Sequence, residues 1–258
     1  MLVDSHCHLE YEGLVEDQMG ALDRARDAGV ERFLNISTKQ AEWAQVVGTA
    51  RATPDVYASV GIHPHNADDH VDLTREELRA ATDEPKVIGI GETGLDYYYD
   101  HSDRETQQHL FRLHIDVARE VQLPVIIHTR DAEDDTLAIL QDKMGKGAFP
   151  ALIHCFTASA DFGRAVLDLG LSVSISGIVT FKSARDLQEF AREIPRDRLL
   201  VETDSPFLAP VPHRGKPCEP GYVRDTARFL ADLRGESLEE LADYTTRNFH
   251  SLFAKASA

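Results

Sequence analysis

Leu2-Val3-Asp4-Ser5-His6-Cys7-His8 is the stretch on which the reading of this chain turns. Side chains alternate across a strand, so His6 and His8 share one face and Cys7 takes the other. Imidazoles about 6–7 Å apart on one strand face can both reach a single metal ion. Farther along, apolar runs repeatedly finish on an acid or a histidine: Glu92, His128, His154 and Asp204. The pattern predicts that the other strands carry these side chains to the metal held by His6 and His8.

Those runs set the fold class. After the first, strands are predicted over 32–37, 56–63, 86–92, 124–128, 151–154, 171–176 and 199–204. Helical spacing covers 16–28, 39–53, 74–82, 102–121, 132–143, 159–169, 183–193, 221–233 and 237–253. Short apolar strands alternating with helices indicate an α/β protein with a parallel sheet buried on both faces. Eight of them close most simply into a (β/α)8 TIM barrel; a doubly wound open sheet is the alternative. Polar residues fall at the C-terminal ends of strands one, three, four, five, six and eight, where barrel enzymes place their chemistry. An open sheet would spread those ends too widely for one metal cluster. No linker, repeat or low-complexity segment interrupts the 258 residues, so a single domain over 1–258 is expected. The Pro-rich segment 209–220 reads as an active-site loop.

Composition narrows the function. Apolar residues make up 42% and charged residues 28%, which supplies an ordinary core. Lys plus Arg is 27 against 44 Asp plus Glu, a formal net charge of −17, which argues against a broad basic face for nucleic acid. Divalent ions would reverse the sign locally. Cys7, Cys155 and Cys218 form no CxxC pair, so a reducing cytoplasm is the expected location. Cys7 and Cys155 are expected to face the helices as small buried apolar residues. A cationic-then-apolar leader and any apolar run of ~18 residues are both absent, predicting neither export nor a membrane span.

A site for two divalent ions needs ligands for each, a bridge and an open position for water. His6 and His8 can hold one ion with Asp204, His128 and His154 the other, and Glu92 can offer one oxygen to each. Ions about 3.5–4 Å apart can share a hydroxide acidified to a pKa near ~7, and Asp204 can also accept its proton. Taken singly, each histidine is more often a hydrogen-bonded structural residue. Four histidines and two acids at strand ends are a costly coincidence unless something compensates them. Glu202 and Asp4 share inward parity with Asp204 and His6 one step deeper; Glu202 is expected to ligate a third metal or to support a ligand histidine. His63, His65 and Arg130 sit above the same mouth as candidate substrate-binding, phosphate-gripping groups. Asp96 and Tyr97-Tyr98-Tyr99 are candidates for lining a groove. Gly89-Ile90-Gly91-Glu92-Thr93-Gly94 matches the dinucleotide-binding pattern, but a carboxylate at Glu92 would repel a pyrophosphate.

Taken together, Asp4-Ser5-His6-Cys7-His8-Leu9, Gly61-Ile62-His63-Pro64-His65, Gly89–Asp96, Ile127-His128-Thr129-Arg130-Asp131-Ala132, Ile153-His154-Cys155-Phe156-Thr157, Glu202-Thr203-Asp204-Ser205-Pro206 and Thr246-Arg247-Asn248-Phe249 closely resemble the TatD family. The resemblance runs through essentially the whole chain. It implies a barrel, two or three divalent metals and metal-dependent deoxyribonuclease activity, largely 3′→5′ exonucleolytic, with DNA ends as substrate. The implied ligands are His6, His8, Glu92, His128, His154 and Asp204, and Asp204 and Glu92 are the expected catalytic residues. Zinc, manganese, iron or magnesium would suit such a site. Thr129, Ala158 and Cys218 depart from the family's usual Ser, Gly and Asn beside the ligands. Alternatives are ester, lactone or aminoacyl-tRNA hydrolysis by the same hydroxide, and a non-enzymatic metal-binding scaffold. No obligate protein partner is evident from the sequence.

Overall fold

Runs of Val, Ile and Leu suit a sheet buried on both faces, and each predicted run forms a strand. In the computed structural model, which describes residues 1–257, these are β1 (Leu2–Cys7), β2 (Val30–Asn35), β3 (Val56–Val60), β4 (Val87–Asp96), β5 (Val125–Arg130), β6 (Ala151–Ile153), β7 (Ser172–Ile175) and β8 (Leu199–Val201). All neighbours pair in parallel, in sequential order from β1 to β8. The ring closes just beyond β8, where Asp204 N–H donates to the His6 carbonyl at 2.9 Å and His8 N–H to the Ser205 carbonyl at 2.8 Å. The architecture is a (β/α)8 TIM barrel.

The helices wrap this ring: α1 (Gln18–Asp27), α2 (Trp43–Ala52), α3 (Arg75–Ala81), α4 (Arg104–Val121), α5 (Glu133–Gly145), α6 (Ala160–Asp168), α7 (Arg185–Glu193), α8 (Val223–Arg234) and α9 (Leu238–Leu252). Local chemistry starts several of them. Thr74 with Glu77 and Ser237 with Glu240 form capping boxes on α3 and α9, and Asp103 accepts the first N–H groups of α4. Helix and strand side chains form the outer core, including Leu22, Phe33, Phe111 and Val166. A smaller inner core holds Val3, Leu34, Ile88, Ile126, Leu152 and Leu200, and Phe249 and Phe253 pack on it. Those aromatics close the N-terminal end of the barrel, where Asn248 donates to the carbonyls of Arg196 (2.6 Å) and Leu199 (2.8 Å). The floor is thus sealed by α9, and the opposite mouth is left for chemistry.

Three expectations change. β3 stops at Val60 rather than His63, because Gly61 turns its N–H to the Ser37 hydroxyl and Pro64 has no N–H to give. β8 stops at Val201 rather than Asp204, whose left-handed backbone (φ 58°) breaks the extended run. β4 runs on to Asp96, pairing Thr93–Asp96 with Ile127–Arg130. The glycines of the nucleotide-like motif therefore lie inside a strand. A Cβ on Gly94 (φ 134°) would sit 2.0 Å from the His128 carbonyl oxygen, so glycine there permits the close approach of β4 to β5.

β1 also departs from simple alternation. Between Asp4 and Cys7 it carries one residue more than the opposing stretch Phe33–Asn35 of β2. The bulge resets the parity. Val3 packs in the inner core and Cys7 in the outer one, while Asp4 turns to the chain after β8 rather than into the site. There its buried carboxylate accepts Thr203 N–H at 2.9 Å and the Thr203 hydroxyl at 2.6 Å.

One buried histidine is structural. His114 on α4 accepts Ile62 N–H at 3.0 Å and donates to the Leu110 carbonyl at 2.7 Å, so only the neutral ring fits. Burial pushes its pKa down to about 4. A folded pKa below the unfolded ~6.5 adds stability that is complete above pH ~6.5 and lost as the pH falls toward 4, worth about 3 kcal/mol in all. Replacing His114 with Gln is expected to flatten the fall in Tm between pH 6.5 and 4 relative to the parent chain. Parallel melting curves over that range would defeat this reading.

Candidate metal centre

The site is built from the carboxyl ends of the strands. His6 lies in β1 with His8 just past it; Glu92 lies in β4 and His128 in β5; His154 follows β6 and Asp204 follows β8. All six converge although they come from five different strand ends. Glu92, almost wholly buried, is at the centre. Its Oε2 lies 3.4 Å from His6 Nε2 and 3.9 Å from His8 Nε2. Its Oε1 lies 2.6 Å from His154 Nε2, 3.2 Å from His128 Nδ1 and 3.5 Å from His63 Nε2. Asp204 Oδ1 completes the first side, 3.4 Å from His8 Nε2 and 3.6 Å from His6 Nε2.

Each carboxylate oxygen of Glu92 therefore faces its own set of imidazole nitrogens. Several contacts are not hydrogen bonds. His154 Nε2 is close to Glu92 but misaligned for one, and His154 Nδ1, His6 Nδ1 and Glu202 Oε1 are buried without a hydrogen-bond partner. Buried polar atoms left in this way are costly, and a cation held between them removes the cost. Carboxylate plus imidazole is also the donor set that divalent zinc, manganese or iron accepts. Titration points the same way. Burial opposes charge on His154 and His128, yet Glu92 with Glu202 raises the first and Asp96 with Glu92 raises the second. Burial likewise opposes charge on Glu92, but His154 and His128 hold it well below the ordinary glutamate value. The carboxylates create a field that calls for positive charge.

The next layer fixes the rings. His8 Nδ1 faces the Ile36 carbonyl at 3.3 Å, which leaves Nε2 as a lone pair toward Glu92 and Asp204. His128 Nε2 donates to Asp96 Oδ2 at 2.9 Å, leaving Nδ1 toward Glu92. Asp96 accepts His65 Nε2 on the same oxygen at 2.9 Å, and the N–H groups of Tyr98 and Tyr99 on the other. Burial would raise the Asp96 pKa, but these donors hold it well below the ordinary aspartate range. Asp96, expected to line a groove, instead supports His128, and its same-face spacing from Glu92 along the extended β4 is the signal for that role. Glu202 lies below the cluster, its Oε1 3.4 Å from His154 Nδ1, and Ser174 donates to its other oxygen. His6, His154 and Glu202 together form a further group that could hold a cation.

Above the cluster lies a cavity of about 790 Å³, lined among others by His63, Arg130, Cys155, Ile178, Phe207 and Leu208. His63 accepts His65 N–H on Nδ1 at 3.1 Å, so its proton sits on Nε2, and burial keeps the ring neutral. Nε2 of His65 is engaged with Asp96. Arg130 lies over Tyr98 and Tyr99, its guanidinium carbon 4.0 and 4.8 Å from their ring centres. Tyr11 stacks on His8 at 4.7 Å and bonds the Thr38 hydroxyl at 2.7 Å. Two expectations are corrected. Cys155 does not face the helices: its left-handed backbone (φ 44°) turns it into the cavity, where Sγ meets the Ser176 hydroxyl at 3.2 Å. Of the segment after β8, Phe207 and Leu208 line the cavity and residues 209–220 do not.

Comparison with known proteins identifies the family. The profile of the family described as TatD related DNase matches residues 3–254. The uncharacterized metal-dependent hydrolase YcfH of Escherichia coli (strain K12) is 46% identical over 255 residues, covering 98% of this chain and 95% of that protein. A protein of Pantoea vagans (strain C9-1) named 3′-5′ ssDNA/RNA exonuclease TatD is 35% identical over 261 residues, covering 99% of this chain and 100% of that one. The crystal structure of YJJV, a TatD homolog from Escherichia coli K12, superposes with a TM-score of 0.91 at 28% identity over 98% of both chains. This chain belongs to the TatD family of metal-dependent hydrolases.

Proposed function

We propose that the chain is a two-metal phosphodiesterase that shortens nucleic-acid strands, most directly DNA from its 3′ end. The observation that carries this reading is the division of Glu92 between two sets of imidazoles, His6 with His8 on Oε2 and His128 with His154 on Oε1. One carboxylate placed in this way suits a pair of divalent ions. Ions bound there supply Lewis acidity and an acidified water. His6, His8 and Asp204 would hold one and His128 and His154 the other, with Glu92 common to both.

The remaining work falls to the chain's own groups. Asp204, 16% exposed at the cavity edge, is held ionised by His8 and His6 against the effect of burial, and it accepts the proton of the attacking water. His63 carries a neutral Nε2–H between Glu92 and the cavity, where a phosphate oxygen can accept it, and Arg130 presents a guanidinium fork that lies over two tyrosine rings. His65 acts on substrate indirectly, by securing Asp96. The Pantoea relative's name supports nucleic acid as the substrate class. Phe207, about half exposed beside the mouth, offers a face on which an unpaired base can stack.

End-labelled single-stranded DNA, incubated with chelated protein and then with protein reloaded with Mg²⁺, Mn²⁺ or Zn²⁺, tests the reading. The expected result is metal-dependent shortening from the 3′ end, reduced at least ~10³-fold in Asp204→Asn and His128→Ala. Tight metal binding without strand cleavage under any loading would remove nucleic acid as the substrate and direct attention to carbonyl esters. Asp96→Asn is expected to weaken metal affinity by about 10–100-fold, as loss of a ligand's supporting carboxylate does. Calorimetric metal titration measures this directly, and unchanged affinity would remove the orienting role.

A further inference from the structure

The chain carries 27 lysines and arginines against 44 acids. Nearly all of these cations are locally matched, by carboxylates within 4.0 Å or, for Arg32, Lys86, Arg192, Arg224 and Lys255, by backbone carbonyls. Among the described residues, Arg130, Lys182, Arg185, Arg214 and Lys216 have neither. All five are exposed; Arg130 ends β5, and the other four lie on the segments that follow β7 and β8 at the mouth of the barrel. Among the described residues, unmatched side-chain positive charge is confined to the end that holds the candidate metal centre.

Arg130 already belongs to the cavity. The other four sit on two segments that are fastened together. Val211 N–H donates to the Thr180 hydroxyl at 2.9 Å, and the Arg214 guanidinium lies 3.7 Å over the Phe181 ring, next to Lys182. A Cβ on Gly177 would lie 2.3 Å from the Leu208 carbonyl oxygen, so the two backbones touch. Ile178 and Leu208, from the same two segments, line the cavity wall. Between residues 176–185 and 205–222 the single acid is Glu219, and Arg24 neutralises it at 2.8 Å. Arg214, like Arg130, rests on an aromatic face rather than a carboxylate, which leaves its whole N–H fork available to an oxyanion.

We propose that Lys182, Arg185, Arg214 and Lys216 form a phosphate-binding arc that holds the backbone of a nucleic-acid strand beyond the phosphodiester at the metal centre. The inference rests on the nuclease reading and adds where the rest of the strand lies. With a net charge of −17, the remainder of the surface repels a polyanion, so the strand leaves the cavity over the β7 and β8 segments. Contacts to phosphate alone carry no base preference and serve DNA and RNA alike.

The test measures binding of phosphorothioate oligothymidylate and oligouridylate to metal-loaded protein across a salt series. Arg51→Gln and Arg164→Gln serve as controls on paired cations elsewhere. Converting Lys182, Arg185, Arg214 and Lys216 to Gln is expected to make the log–log salt slope shallower by about 0.7 for each cation removed. The advantage in kcat/KM of a long strand over a dinucleotide should fall with it. Strand shortening with an unchanged salt slope and unchanged length preference overturns the arc alone. No shortening by the parent protein under any metal overturns the nuclease reading and the arc together.

Discussion

A carboxylate with almost no access to water sits at the centre of the histidine cluster at the barrel mouth, and the rest of the site answers to it. Glu92 could not stay ionised in an apolar barrel. Five histidines, from β1, β3, β5 and β6 and the residues just past them, turn nitrogen toward its two oxygens, and His154 and His128 among them hold it ionised. The barrel makes this possible because the strand ends converge there. Glycines at 61, 91 and 94 let β4 press against its neighbours closely enough to deliver the carboxylate.

The candidate ligand cluster is supported in layers. Asp96 orients His128 and His65 together, Glu202 lies against His154, and the Ile36 carbonyl sets His8. These partners decide which ring nitrogen faces the site, and that sets the ligand's basicity as well as its direction. At the outer edge, neutral His63 and stacked Arg130 differ in kind. One is a short, fixed donor inside the cavity and the other a permanent charge at its rim.

Much of this was legible in the chain itself. The alternation of His6 and His8, the acids and histidines that end apolar runs, and the eightfold strand–helix rhythm pointed to a barrel whose mouth gathers them. What escaped the sequence depended on backbone irregularity. The bulge in β1 sent Asp4 to Thr203 instead of inward, and left-handed backbone at Cys155 turned its thiol into the cavity. Extension of β4 to Asp96 made a supposed groove residue a support for His128. Periodicity assumes a regular strand, and each of these residues sits where regularity stops. The unmatched cations were also invisible, since a sequence shows charge but not which charges are paired.

Closure of the barrel also has a consequence in time. The bond from Asp4 to Thr203 joins residues 199 positions apart, and the floor is sealed by Phe249 and Phe253. A chain emerging from the ribosome, N-terminus first, exposes His6 and His8 long before Asp204 and α9 exist. The first half can bring imidazoles together, but no intermediate of synthesis possesses the complete cluster of imidazoles and carboxylates. The candidate metal site is therefore completed only when the last strand docks beside the first.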